Sequence, residues 1–184
     1  MKKLILLSGL LLVLAFPAMA QIAPHIDVSA GYSLRVFQEP SGVREGMNGW
    51  YGSGEYSVFR WLSGEVEVSG NYRNNGFEGN TSVYTGMIGP QFYPLGHRKI
   101  TLHGHVLVGE GVYRVHFPAY GGFPSQVNLY WDKTWEAGGG IDYSRSRRWK
   151  IRVIQADFGQ THFFAHSQNN YSASIGFVYA FGQK

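Results

Sequence analysis

From Ile26 onward the chain alternates. Ile26, Val28, Ala30, Tyr32, Leu34 and Val36 share one face of an extended segment, and Asp27, Ser29, Gly31, Ser33 and Arg35 share the other. A period of two marks a β-strand with one apolar face. The pattern returns along the chain. Tyr56 and Val58, in phase with Gly52 and Gly54, oppose Tyr51, Ser53, Glu55 and Ser57; Leu62, Val66, Val68 and Tyr72 oppose Ser63, Glu65, Glu67, Ser69 and Asn71. Tyr84, Ile88 and Phe92 face away from Thr85 and Gln91, with the face of Met87 left open. Ile100, Leu102, Val106 and Val108 alternate with Thr101, His103 and His105, and Trp135, Ala137, Ile141 and Tyr143 with Thr134, Glu136, Gly138, Gly140 and Asp142. In the seventh stretch Ile151 and Val153 oppose Arg152, but Gln155 and Asp157 then fall on the phase of Ile151. Either that strand carries a bulge or Arg152 faces outward. The last stretch places Ala173, Ile175, Phe177, Tyr179 and Phe181 opposite Ser172, Ser174, Gly176, Val178 and Ala180.

These eight predicted strands run roughly ten residues or more, near the 9–11 or so that cross a bilayer and longer than the 5–6 or so usual in soluble sheets. Their connections differ in length by side. Phe59 to Trp61, Pro94 to Lys99 and Ser144 to Trp149 are short, whereas Gln38 to Gly46, Arg73 to Asn80 and Arg114 to Tyr130 are long and rich in Gly, Asn and Pro. Only the connection from Ala165 to Asn169 is shorter than its side predicts. Short turns on one side and long loops on the other predict an eight-stranded antiparallel up-and-down transmembrane β-barrel, with both termini on the short-turn side. Hydrocarbon offers the backbone no hydrogen-bond partners, so an open sheet edge is excluded and closure is required. The lumen of so small a barrel is filled by side chains. A soluble lipocalin-like barrel or sandwich would carry its charge on the outer face. Here the non-apolar face is mostly Ser, Gly, Thr and Asn with isolated Glu and Arg.

Composition supports the membrane reading. Charged residues make up 15% of the chain, aromatics 16%, and Gly accounts for 25 residues; soluble domains carry roughly 25% charge. Before Ile26 the pattern changes. Lys2 and Lys3 precede an apolar run from Leu4 to Phe16, then Pro17 and Ala18-Met19-Ala20. This predicts a secretory signal peptide over residues 1–20, cut before Gln21, and a barrel domain over 21–184. Loss of Lys2 and Lys3 removes two units from a formal charge of +4, leaving no basic excess that would call for nucleic acid. Cysteine is absent, so disulfides do not contribute, and no later apolar run is long enough for a transmembrane helix.

Candidate chemistry lies mainly on the inward phase. Arg35, Glu55, Glu65, Glu67, His103, His105, Glu136, Asp142 and Asp157 are expected to form an interior polar network, because buried charges must be paired and hydrogen-bonded. His103 and His105 share a strand face, as a metal pair would, but no third ligand accompanies them. Hydrogen-bonding histidines are the expectation, with no metal, no cofactor and no catalytic residue assigned. Arg60, Arg98, Lys99, Arg145, Arg147, Arg148 and Lys150 gather at the short turns, where they suit either turn solubility or anionic head groups. The glycines at 52–54 and 138–140 lack the lysine and helix of a phosphate loop. The aromatic loop from Arg114 to Tyr130 suits a recognition surface or an interfacial girdle, the latter favoured for Tyr130 and Trp131.

The last strand carries Ser174-x-Gly176-x-x-Tyr179-x-Phe181, which resembles the signal read by the barrel assembly machinery, although Gly182, Gln183 and Lys184 extend past the terminal aromatic. Gly31-Tyr32-Ser33, Asn48-Gly49-Trp50, Arg60-Trp61-Leu62, Gly89-Pro90, Gly138 to Asp142 and Ile154 to Asp157, in that order, make the chain resemble the small OmpA-type outer-membrane β-barrel superfamily, especially the porin-like barrels of Acidobacteria-type genomes. The resemblance covers Ile26 to Phe181. It implies a fold and an outer-membrane location. Contact with outer-membrane lipid and with the assembly machinery is expected, in a monomer that binds no nucleic acid. The resemblance implies no activity. Three functions follow as expectations: a structural or surface-recognition barrel with a closed interior; a narrow channel for small or hydrophobic solutes; and a lipid A-type hydrolase at the rim, which would need His162, His166 and Ser167 assembled with an acid.

Overall fold

A computed structural model describes residues 25–38, 42–74, 79–94, 99–119, 124–162 and 167–182. Eight strands follow one another: β1 (Ile26–Gln38), β2 (Arg44–Phe59), β3 (Leu62–Asn74), β4 (Asn80–Phe92), β5 (Ile100–Phe117), β6 (Gln126–Ser144), β7 (Trp149–Thr161) and β8 (Gln168–Phe181). Each pairs antiparallel with its neighbours in sequence, and β1 pairs with β8 to close the ring. Closure leaves no sheet edge facing lipid. The predicted signal peptide lies outside the described residues.

The two faces sort as the alternation requires. Ile26, Val28, Leu34, Val66, Val68, Ile88, Val106, Val108, Ile175 and Phe177 all point outward and are exposed. Polar residues of opposite parity are buried inside. Aromatic rings band the outer wall at two levels. Near the short turns Trp61 stacks on Phe59 and Phe92, and Trp149, Tyr179 and Phe181 pack in sequence. Nearer the loops Tyr72 meets Tyr84 edge-on and accepts a hydrogen bond from Trp50 Nε1, while Phe158 lies between Trp135 and Tyr171. Such paired belts sit at the two lipid–water boundaries.

Several expectations change. β5 and β6 run far into the stretch read as a loop from Arg114 to Tyr130, leaving only residues 118–125 between them. Arg152 faces inward: the register shifts between Arg152 and Gln155, and Val153 and Ile154 both point outward. This is a β-bulge, which turns one strand's phase through a local gap in its pairing with β8. Met87 is also buried inside. Lys150 is not a turn residue; it lies within β7, and its ammonium is buried on Asp27. Tyr130 packs against Tyr113 on the inward phase, so of the pair Tyr130 and Trp131 only Trp131 points outward.

Candidate functional site: the polar lumen and the outer rim

The inward side chains form layers along the barrel axis. At the short-turn end Lys150 Nζ donates to Asp27 Oδ2 at 2.6 Å, and His25, Ser57 and Ser63 form a hydrogen-bonded chain beside them. His25 lies just outside β1; burial pushes its imidazole below the ordinary value, with Asp27 pulling upward and Lys150 downward.

The next layer centres on Arg152. Its guanidinium donates to Asp142 at 3.0 and 3.3 Å, to Glu55 at 3.1 Å and to Gln155 Oε1 at 2.8 Å. Tyr93 donates to the other oxygen of Glu55. Gln91, with its amide nitrogen turned to the acids, reaches Glu65 and Glu55 at 3.0 and 3.2 Å. His103 is buried with Nδ1 3.7 Å from Asp142, and its ring lies over Gly140, where a Cβ would come within 2.8 Å of it.

Above this, His105 bridges two acids, with Nδ1 2.9 Å from Glu65 and Nε2 3.0 Å from Asp157. Gln155 donates across the lumen to Glu67 and along its own strand to Asp157. A fourth layer joins Arg35 to Glu136 at 2.7 Å, with Ser69 on Thr85 and Asn71 on Ser33. At the loop end the polar column meets an apolar lid. Phe37, Met47, Val83 and Tyr113 pack together, and the rings of Phe37 and Tyr113 stack at 5.4 Å. Those two rings come from β1 and β5, opposite strands of the ring, so their contact spans the lumen.

All nine residues expected in the polar network are thus inside the barrel, and the structure joins most of them by direct bonds. The sequence reading missed Asp27, Lys150, Arg152 as the hub, and the neutral linkers Gln91, Tyr93 and Gln155. Parity alone marks Asp27 and Gln91 as inward. Nothing in the sequence marks the lid, because apolar residues of inward parity are rare and widely separated. Among the described residues no three His, Asp or Glu side chains are placed to hold a metal. His162 and Ser167 stand exposed on either side of the β7–β8 connection and make no bond to each other, and His166 lies outside the described residues. The last-strand residues Ser174, Gly176, Tyr179 and Phe181 lie on β8 beside β1, where the ring closes.

Solved structures supply the comparison. Ail of Yersinia pestis, the attachment invasion locus protein, aligns with a TM-score of 0.66 at 16% identity over 87% of this chain and all of its own. Neisserial surface protein A aligns at 0.63 with 9% identity, over 85% of this chain and 95% of that one. The outer membrane protein OprG of Pseudomonas aeruginosa aligns at 0.56 with 12% identity, over 89% and 98%. The fold is that of the small outer-membrane β-barrels. Neither a family model nor a curated protein matches the chain. The lumen is crossed by ion pairs at three levels and capped by an aromatic contact.

Proposed function

We propose that the chain is an integral outer-membrane barrel with a closed, side-chain-filled interior and a non-enzymatic role in surface recognition. The observation that carries this reading is the β5–β6 hairpin. Thr134 is the first β6 residue to pair with β7, opposite Thr161, so residues 126–133 rise past the end of β7. Glu110 and Lys133 face each other on the outer wall and mark where the apolar belt ends. Trp131, 66% exposed, lies at the belt in one row with Val112 and Tyr84, and beyond it Leu129 and Val127 stand 55% and 48% exposed in an alternating row. A strand rising from the membrane with apolar side chains in water is suited to adding an extended segment of another protein. Ail, whose name records attachment, shares the fold and has been solved with a heparin analogue. The chain acts as a monomer, inserted by the assembly machinery through Ser174, Gly176, Tyr179 and Phe181.

The test displays the barrel on cells and probes an array of extended peptides from surface proteins. Binding should appear with the native hairpin and be lost in Leu129→Ser and Trp131→Ser while heat-modifiability persists. Equal binding by a barrel with residues 112–131 replaced by a short turn would end the reading. A channel is the second reading, favoured by the lumen's acids, Asp27, Glu55, Glu65, Glu67, Glu136, Asp142 and Asp157, which outnumber Arg35, Lys150 and Arg152. Reproducible single-channel steps in planar bilayers would establish it and overturn the closed interior.

A further inference from the structure

Charge is divided unequally between the outer surface and the lumen at the short-turn end. Among the described residues, Asp27, Glu55, Glu65 and Asp142, the carboxylates of that end, are all buried in the barrel. Arg60, Lys99, Arg145, Arg147 and Arg148 are all exposed. At the loop end, by contrast, exposed Arg44, Arg114 and Lys133 are mixed with Glu110. Four of the five cations of the short-turn end belong to one sector, and the backbone fixes their arrangement. In the β6–β7 turn, the amides of Arg145 and Ser146 donate to Trp149 O at 2.9 and 3.1 Å. The amides of Arg148 and Trp149 donate to Ser146 Oγ. Ser144 N donates to Lys99 O and Ala180 N donates to Arg148 O, tying the turn to β5 and β8 on either side. The cations therefore stand directly below aromatic rings. Lys99 Nζ lies 5.8 Å from the Tyr143 ring centre, and Trp149 packs on Tyr179 at 4.8 Å.

We propose that this sector is a binding site for anionic phospholipid, in which Lys99, Arg145, Arg147 and Arg148 hold the phosphate-bearing head group while Trp149 and Tyr179 meet the upper acyl chain. Two observations select a lipid as the occupant. The charge is complementary to a phosphate surface, with no exposed carboxylate among the described residues of that end to oppose it. The patch is also continuous with the aromatic belt, so any anion seated there already lies at the boundary of the hydrocarbon. Each basic residue near an anionic surface strengthens its attraction several-fold, and the effect fades within a Debye length of about 8 Å at physiological salt. A head group in contact with this turn is well within that range.

The experiment reconstitutes the full barrel in phosphatidylcholine vesicles containing spin-labelled phosphatidylglycerol or spin-labelled phosphatidylcholine, and reads the motionally restricted fraction by electron paramagnetic resonance. The wild type should hold the anionic label several-fold more strongly than the zwitterionic one. Arg145→Gln/Arg147→Gln/Arg148→Gln should bring the ratio close to one, while Arg44→Gln/Arg114→Gln at the other end retains most of it. A preference unchanged in the triple variant, or lost equally in the loop-end variant, overturns the site. Displacement of the lipid by inorganic phosphate or heparin at matched charge would make it a site for soluble anions and overturn the lipid assignment.

Discussion

Arg152→Met isolates the centre of the lumen network. Arg152 is 1% exposed, and its guanidinium is the direct partner of both Glu55 and Asp142. Removing it leaves two carboxylates in a closed interior with their main counter-charge gone; Tyr93 still bonds Glu55, but no cation replaces the lost one. Breaking a buried ion pair from one side costs about 3–5 kcal/mol, against about 0.2–1 kcal/mol for an exposed pair. Since a domain is stable by about 5–15 kcal/mol, the loss is a large share of the whole. Urea titration in detergent micelles, followed by tryptophan fluorescence and by heat-modifiability on gels, should show a lower midpoint with an unchanged slope. Removing the stranded charges should return much of the loss, so Arg152→Met/Glu55→Gln/Asp142→Asn should be more stable than Arg152→Met alone. Arg152→Lys keeps the charge but not the fork that serves both acids, and should fall between the two. Arg147→Met, on the exposed turn, should stay within about 0.5 kcal/mol of wild type. If Arg152→Met also stays within that range and the triple variant is no better, water rather than Arg152 balances the acids, and the layered ion-pair account of the lumen is wrong.

Three further outcomes follow from the same geometry. Gly31 faces Gly176 across the closing β1–β8 seam, and a Cβ on it would come within 2.6 Å of the Tyr51 ring, so Gly31→Val should abolish the heat-modifiable folded band, whereas Gly54→Val, with open space around it, should not. His25 has its protonated form disfavoured in the folded barrel, so its contribution is complete above its ordinary value of 6.5 and is lost as pH falls below it; the drop in urea midpoint between pH 7 and pH 5 should shrink in His25→Gln, and an unchanged drop would assign it to other groups. Phe181→Ala should impair insertion in cells while deletion of residues 182–184 leaves it intact, judged by the heat-modifiable fraction in membranes; the reverse pattern would refute the role given to Ser174, Gly176, Tyr179 and Phe181 in assembly.

What the sequence discloses follows from what lipid demands of it. Wherever one face meets hydrocarbon and the other a crowded lumen, parity is enforced, and β1, β3 and β8 can be read residue by residue, whereas β2 starts at Arg44, inside the stretch from Gln38 to Gly46 that reads as loop. The β7 bulge leaves a trace, because Gln155 and Asp157 fall on the phase of Ile151, but parity cannot say whether the chain bulges or Arg152 points outward. Two acids in the lumen decide it in favour of the bulge, since a guanidinium facing lipid would be stranded while Asp142 and Glu55 lacked a partner. Lys150 shares the parity of Arg152, so one decision places both. Cross-lumen partners such as Arg35 with Glu136, or Phe37 with Tyr113, are illegible, because parity assigns a face and says nothing of which strands oppose each other around the ring. The β5–β6 hairpin was hidden for a different reason. Past Glu110 and Lys133 the outer face is no longer sorted by lipid, with Arg114 exposed beside half-buried Val115 and His116, and Pro118 with Gly121 and Gly122 reads as loop. The same release applies to the turn from Arg145 to Arg148. The segments freed from the bilayer's constraint are those whose side chains can be chosen for a partner, and they are where the periodic pattern stops.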